Sequence, residues 1–210
     1  MNSRLDSYIK KLELDFEKIS ESRKTRLLQL NNYLLHKLKN RQKTNLIFIC
    51  THNSRRSHLA QIWAATSINY YKLKNIKTFS GGTSITEFNK RVINILRKIG
   101  YKINNPIGNN PHYRVSFSKN ISAAECFSKK YDSPFNPSKN FATIMTCSNA
   151  EKTCPLIPEA EETIFLPYND PKLFDGTKEE KKSYEKSCEK IGTEMLFVMK
   201  SFQENRDDPF

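Results

Sequence analysis

Apolar positions recur at helical spacing twice before residue 43. Leu5, Tyr8, Ile9, Leu12, Phe16 and Ile19 form one stripe, and Leu27, Leu30, Leu34, Leu35 and Leu38 a second, the recurrence of amphipathic helices. Ser20-Glu21-Ser22 separates them, so residues 1–43 are predicted to form a helical hairpin extension. Then the period changes. Leu46-Ile47-Phe48-Ile49 is a continuous apolar run, as in a strand buried on both faces. From Ser57 to about Tyr71 helical spacing returns, with Leu59, Ile62, Trp63 and Ile68 on one stripe. A second strand is predicted at Ile76–Phe79 and a tight turn at Ser80-Gly81-Gly82-Thr83. A helix follows from about Asn89 through Val92, Ile95, Leu96 and Ile99, stopped by Gly100, a residue suited to a helix C-terminus.

Residues 104–140 carry Pro106, Pro111, Pro134 and Pro137 among many Asn and Ser and are expected to be mostly loop. A strand at Arg114–Phe117 and a short helix at Ala123–Phe127 are the exceptions. Strands return at Phe141–Thr146, ending at Cys147, and at Thr163–Leu166, leading to Asp170-Pro171. Thr177 with Glu180 resembles a capping box. It opens a last helix striped by Tyr184, Cys188, Ile191, Met195, Val198 and Phe202. Strands alternating with helices predict an α/β domain over residues 44–205, its parallel sheet covered on both faces. Ligands of such sheets lie beyond the carboxyl ends of the strands, where Cys50, Cys147 and Asp170 all fall.

Charge adds one modification. Lys and Arg number 35 against 22 Asp and Glu, a formal +13. With no block of like charge and no basic motif interleaved with aromatics, nucleic acid is not the expected partner; attraction of anionic substrates is. No apolar run is long enough to span a bilayer and no apolar leader is visible, so no membrane partner and a cytosolic location are expected. There the five cysteines stay reduced, and an organised set points to catalysis, redox work or metal.

Cys50 ends the first strand and Arg56 opens the next helix, enclosing Thr51-His52-Asn53-Ser54-Arg55. A thiol at a helix N-terminus meets backbone N–H groups and the positive end of the helix dipole, which favour both a thiolate and a bound oxyanion. The planar guanidinium of Arg56 can grip two oxygens. Ser57 can donate to the thiolate, and Asn53 can hold the loop's shape. Asp170-Pro171 is turn chemistry by composition, but its place after the last strand favours a catalytic role. Cys147 and Cys154 are a redox pair, two unrelated buried thiols, or half of a metal site. No further Cys or His cluster completes a zinc set, so no metal is expected. Cys126 and Cys188 are expected to be bystanders.

The stretch Cys50-Thr51-His52-Asn53-Ser54-Arg55-Arg56-Ser57 resembles the signature loop of low-molecular-weight protein tyrosine phosphatases and of the thioredoxin-coupled arsenate reductases on the same fold. The resemblance spans residues 45–203, with Asp170-Pro171 similar to the family's general-acid loop and Ser80–Thr83 to its turn after the second strand. It implies a three-layer sandwich around a four-stranded parallel sheet. Cys147 and Cys154 are similar to the cysteine pair of the arsenate reductase branch. That implies attack of Cys50 on arsenate, a Cys50–Cys147 disulfide, then a Cys147–Cys154 disulfide reduced by an external dithiol such as thioredoxin, with no bound cofactor. Lys172-Leu173 stand where phosphotyrosine-specific members present aromatic residues, although Tyr168 could partly substitute. His52, expected to face solvent, and the extra charge of Arg55 depart from the pattern. Gln61 replaces a glutamate that helps bind potassium in similar reductases, which leaves open whether a cation binds near Asn53 and Gln61. Hydrolysis of phosphotyrosine or small phosphoesters through a phosphocysteine is the alternative, and a non-catalytic oxyanion sensor a third reading. The hairpin carries no chemical motif, and a structural role or a homodimer contact are its expected uses.

Overall fold

Residues 2–117, 124–147 and 157–206 are described by a computed structural model. The chain runs α1 (Ser3–Glu13), a 3-10 turn (Phe16–Lys18), α2 (Glu21–Lys39), β1 (Thr44–Cys50), α3 (Arg56–Tyr70), β2 (Ile76–Gly82) and α4 (Lys90–Ile99). It continues with β3 (Lys102–Ile103), β4 (Tyr113–Ser116), β5 (Ala124–Cys126), β6 (Phe141–Cys147), β7 (Glu162–Tyr168), a second 3-10 turn (Pro171–Phe174) and α5 (Glu180–Arg206). Cys154, half of the predicted cysteine pair, lies outside the described residues.

The central sheet is four-stranded and parallel, in the order β2-β1-β6-β7. The fold is the α/β arrangement that the alternating pattern implies. Because side chains alternate across a strand, β1 feeds two cores. Leu46 and Phe48 join the large cluster with Trp63, Ile191 and Met195, whereas Ile47 and Ile49 join a smaller one with Phe141, Met145 and Ile157 on the other face. From β1 the chain steps one way to β2 and later the other way to β6. The carboxyl ends of β1 and β6 therefore flank the point where strand order reverses, the usual ligand position in open α/β sheets.

The two N-terminal helices, α1 and α2, pack into the same large cluster. Leu5, Ile9 and Leu12 of α1 and Leu27 and Leu30 of α2 are each 0% exposed, a burial that stabilises by about 2 kcal/mol per side chain. Gly192 in α5 permits the contact: a Cβ there would lie 2.8 Å from both Leu12 Cδ1 and Trp63 Cε2. Polar clamps hold α2 in place. Arg23 donates to both oxygens of Glu194 at 3.0 and 2.7 Å, and Lys37 donates to Glu161 at 2.8 Å.

Three local expectations need correction. Ala124–Cys126 is a strand, not part of a helix: β5 pairs antiparallel with β4, with Tyr113 opposite Cys126 and Val115 opposite Ala124. A short apolar segment beside an open strand edge gains more from that ladder than from one helical turn, so context overrides propensity. Nor is Ser80-Gly81-Gly82 a turn. Strand β2 continues through Gly82, which pairs with Cys50. The capping box is altered as well: Thr177 Oγ1 accepts from the Glu179 N–H at 3.2 Å, and Glu180 reaches back to the Gly176 N–H at 2.7 Å.

Candidate active site

The loop from Cys50 to Ser57 joins the carboxyl end of β1 to the N-terminus of α3. Cys50 is 3% exposed, with Ser57 Oγ 3.1 Å from its sulfur. The direction of that bond follows from Asn53. Asn53 Oδ1 accepts the Lys129 N–H at 3.0 Å, which leaves Nδ2 to donate to Ser57 Oγ at 2.9 Å. With an acceptor site of Ser57 filled, its own proton is available to Cys50. Asn53 sits at φ +41, a left-handed conformation that asparagine tolerates better than most residues.

The second thiol lies beside the first. Cys147 Sγ accepts the Thr51 N–H at 3.1 Å. In register Ile49 lies opposite Met145, so Cys147 is one residue out of step with Cys50 on the neighbouring strand. Strand β6 has a register irregularity between Met145 and Cys147, and Cys147 and Cys50 belong to the same small buried cluster. The hydrogen bond from the Cys147 thiol, the Ser57 hydroxyl and the backbone N–H groups of Ser57 and Ser54 hold Cys50 well below the usual thiol range, against the opposing effect of burial. The Cys50 contact, aided by burial, pushes Cys147 the other way, far above that range. The two shifts run in opposite directions, so of the pair Cys50 is the thiol favoured to ionise. Burial pushes Cys126 and Cys188 up to about 12, so neither competes as a thiolate.

Both arginines of the loop face Asp170. Arg56, 7% exposed, donates from Nη1 to the Tyr168 carbonyl at 3.0 Å and from Nη2 to Asp170 Oδ2 at 2.8 Å. Its Nε is buried without a hydrogen-bond partner among the described residues. Arg55 donates from Nε to Asp170 Oδ1 at 2.9 Å and from Nη2 to Oδ2 at 3.3 Å. Burial opposes ionisation of Asp170, but Arg55 and Arg56 outweigh it and hold the carboxyl below its ordinary range.

Other predicted residues keep the loop in shape. The Thr51 carbonyl accepts the N–H groups of Thr83 and Ser84, each at 2.9 Å. Ser54 Oγ donates to the Glu87 carbonyl at 2.6 Å. His52 is half-buried, and its carbonyl accepts from Thr86 and Ser128. Gly82 backs directly onto the loop: a Cβ there would stand 2.7 Å from Asn53 N and 2.8 Å from Thr51 O. That is why a glycine ends β2.

The Tyr168 ring is turned away from solvent. It is 3% exposed, with the Arg23 guanidinium 4.8 Å over its ring, so it cannot stand in for a substrate-flanking aromatic. The exposed apolar side chains after Asp170 are Leu173 and Phe174. At the cation position considered above, the Asn53 amide is used by Ser57 and by the Lys129 N–H, while Gln61 donates from Nε2 to the Thr78 carbonyl at 3.3 Å and its Oε1 is buried without a hydrogen-bond partner among the described residues.

Sequence reasoning missed Ser128 and Lys129. Ser128 Oγ donates to the His52 carbonyl at 2.8 Å, and its backbone is held at both ends by the Asn110 side chain. Polar composition marked that segment only as loop; a serine and a lysine following the apolar Cys126-Phe127 were the one cue that it turns inward.

No known family profile matches the chain. In sequence it is 26% identical over 129 residues to Arsenate reductase 2 of Staphylococcus haemolyticus, and 22% to Arsenate reductase 2 of Staphylococcus epidermidis. Each match covers 61% of this chain and 79% of the relative. Among solved structures, a low-molecular-weight phosphotyrosine phosphatase from Vibrio cholerae O395 aligns with TM-score 0.51 at 14% identity, over 77% of this chain and 97% of that one. An arsenate reductase in a phosphate-binding state aligns with TM-score 0.50 at 17% identity, over 76% and 99% of the two chains. In sequence, then, the chain is similar to arsenate reductases, and it shares the fold of arsenate reductases and low-molecular-weight phosphotyrosine phosphatases that its Cys50–Ser57 loop had suggested.

Proposed function

We propose that the protein is an arsenate reductase that uses Cys50 as nucleophile and Cys147 and Cys154 as a disulfide relay. The observation that carries this reading is the second thiol on the oxyanion loop: Cys147 Sγ on the Thr51 N–H, beside a thiolate whose ionisation it supports. A phosphatase, whose phosphocysteine is cleared by water, has no need of that thiol. Arsenate enters against Arg56, and the Cys50 thiolate attacks arsenic as one oxygen leaves, protonated, as water. Cys147 gives up its proton and attacks the Cys50 sulfur. The S–As bond breaks with its electron pair remaining on arsenic, which departs as arsenite, reduced from the +5 to the +3 state. Cys154 then attacks Cys147, regenerating the Cys50 thiolate, and an external dithiol of the thioredoxin kind reduces the Cys147–Cys154 disulfide.

The test is a single turnover with arsenate followed by mass spectrometry of the thiols. Cys154→Ser should trap a Cys50–Cys147 disulfide and lose steady-state turnover, and Cys147→Ser should form no disulfide. Undiminished thioredoxin-coupled turnover in Cys154→Ser would falsify the relay. Phosphoester hydrolysis is the second reading, favoured by the Asp170 carboxylate beside Arg56. It prevails if p-nitrophenyl phosphate is hydrolysed with Cys147→Ser as active as wild type and arsenate is never turned over.

A further inference from the structure

Arg55 makes a demand on Asp170 that the proposed chemistry alone would not require. It is the last loop residue before α3, and its side chain turns across the mouth of the loop. Its fork takes both Asp170 oxygens, at 2.9 and 3.3 Å. Arg56 Nη2 takes Oδ2 at 2.8 Å and the Lys172 N–H takes Oδ1 at 3.1 Å. Four N–H donors fill the lone-pair sites of one carboxylate. In this arrangement neither oxygen can carry a proton without breaking a bond to a donor, and three of the four donors are themselves charged. Asp170 also occupies the Arg56 Nη2 that an entering oxyanion would use.

We propose that Arg55 is a positioning residue that keeps Asp170 as an ionised plug on Arg56, so that an oxyanion must displace the carboxylate to enter and Arg55 must release it before it can deliver a proton to the leaving oxygen. The inference rests on the oxyanion reading of the Cys50 loop. Other charges around Asp170 do not substitute for Arg55. Tyr184 on α5 spends its hydroxyl proton on Asp175 at 2.9 Å. Glu179, Lys182, Lys186 and Lys190 line the adjoining cavity, and all four are exposed. Within the loop, Cys50 acts on Arg55 itself, and less than Asp170 does. An exposed lysine is screened by solvent, whereas the Arg55 and Arg56 side chains are only 11% and 8% exposed. For reactions whose leaving group needs a proton, Arg55 is therefore a brake; those with acidic leaving groups bypass it.

The direct test is a carbon-13 NMR titration of the Asp170 carboxyl in the Cys50→Ser chain, compared with the same chain carrying Arg55→Gln or Arg55→Lys. Arg55→Gln should raise the Asp170 midpoint by about one pH unit or more. Arg55→Lys, which keeps the charge and loses the fork, should give a smaller rise and guards against a folding defect in the first variant. Inorganic phosphate should raise the midpoint further by taking Arg56. An unchanged midpoint in both variants overturns the proposal. In the catalytic chain, Arg55→Gln should raise the ratio of kcat for phenyl phosphate to kcat for p-nitrophenyl phosphate at least threefold. It should leave that ratio unchanged in an Asp170→Asn background, and an equal change there would place the effect outside Asp170. Loss of all turnover in the wild-type chain would overturn the functional reading, while the NMR titration would still judge Arg55.

Discussion

His58 follows the loop directly and is held neutral by its surroundings. It is fully buried, its ring nitrogen Nε2 donates to the Phe127 carbonyl at 3.2 Å, and its ring lies 4.3 Å from that of Phe88. Burial, with a smaller contribution from Lys129, pushes it down to about 3. Because the folded value lies below the unfolded one, the unfolded chain takes up a proton as pH falls through about 6.5 while the folded chain does not. The protein should therefore lose about 2 kcal/mol of stability through this residue between pH 7 and pH 5. Urea unfolding at the two pH values should show that loss in the wild type and a flatter profile in His58→Gln; parallel profiles would exclude the residue. At the same scale lie Asn53 and Ser57. Their chemical suitability was legible in the sequence, but the direction of the Ser57 proton followed only from the Lys129 N–H that fixes the Asn53 amide.

Among the elements, α2 is tied to the active loop by a short path. Arg23 of α2 pairs with Glu194 of α5 and lies over the Tyr168 ring, and the Tyr168 carbonyl accepts from Arg56. Glu194 is 3% exposed, so removal of its partner leaves a carboxylate buried and unpaired. Arg23→Ala should cost about 3 kcal/mol, measured as a lower urea midpoint with unchanged m. Arg23→Leu combined with Glu194→Leu should recover more than half of that loss, because no charge is then stranded. The helices themselves were readable from their stripes: Leu5, Ile9, Leu12, Leu27 and Leu30 are all buried. Short strands such as β5 were not, because three residues carry no period and their partner strand is chosen by tertiary contact.

For the whole molecule, the excess of 13 positive charges is a long-range property that the site can use. A net field of this sign raises the encounter rate with oxyanions and is screened over about 10 Å at 0.1 M salt. With arsenate or another dianionic substrate, kcat/KM should fall several-fold as sodium chloride rises from about 20 to about 300 mM, with kcat little changed. A salt-independent kcat/KM would show that the local arginines alone attract the substrate. No helix among the described residues is long and apolar enough to cross a membrane.

The sequence by itself determined the periods of the elements, the strand–loop–helix setting of Cys50 and Arg56, and the fall of Cys147 and Asp170 at strand ends. These are local matters, set by spacing along the chain. Which strand lies beside β1 is not local. Only the order β2-β1-β6-β7 brings Cys147 against Thr51, and only the packing of α2 on α5 turns Tyr168 inward beneath Arg23. Arg55 belongs to the same class. Its charge was visible in the sequence, but whether it faced solvent, substrate or Asp170 depended on where a loop 115 positions later came to rest, and that is decided by the closure of the sheet.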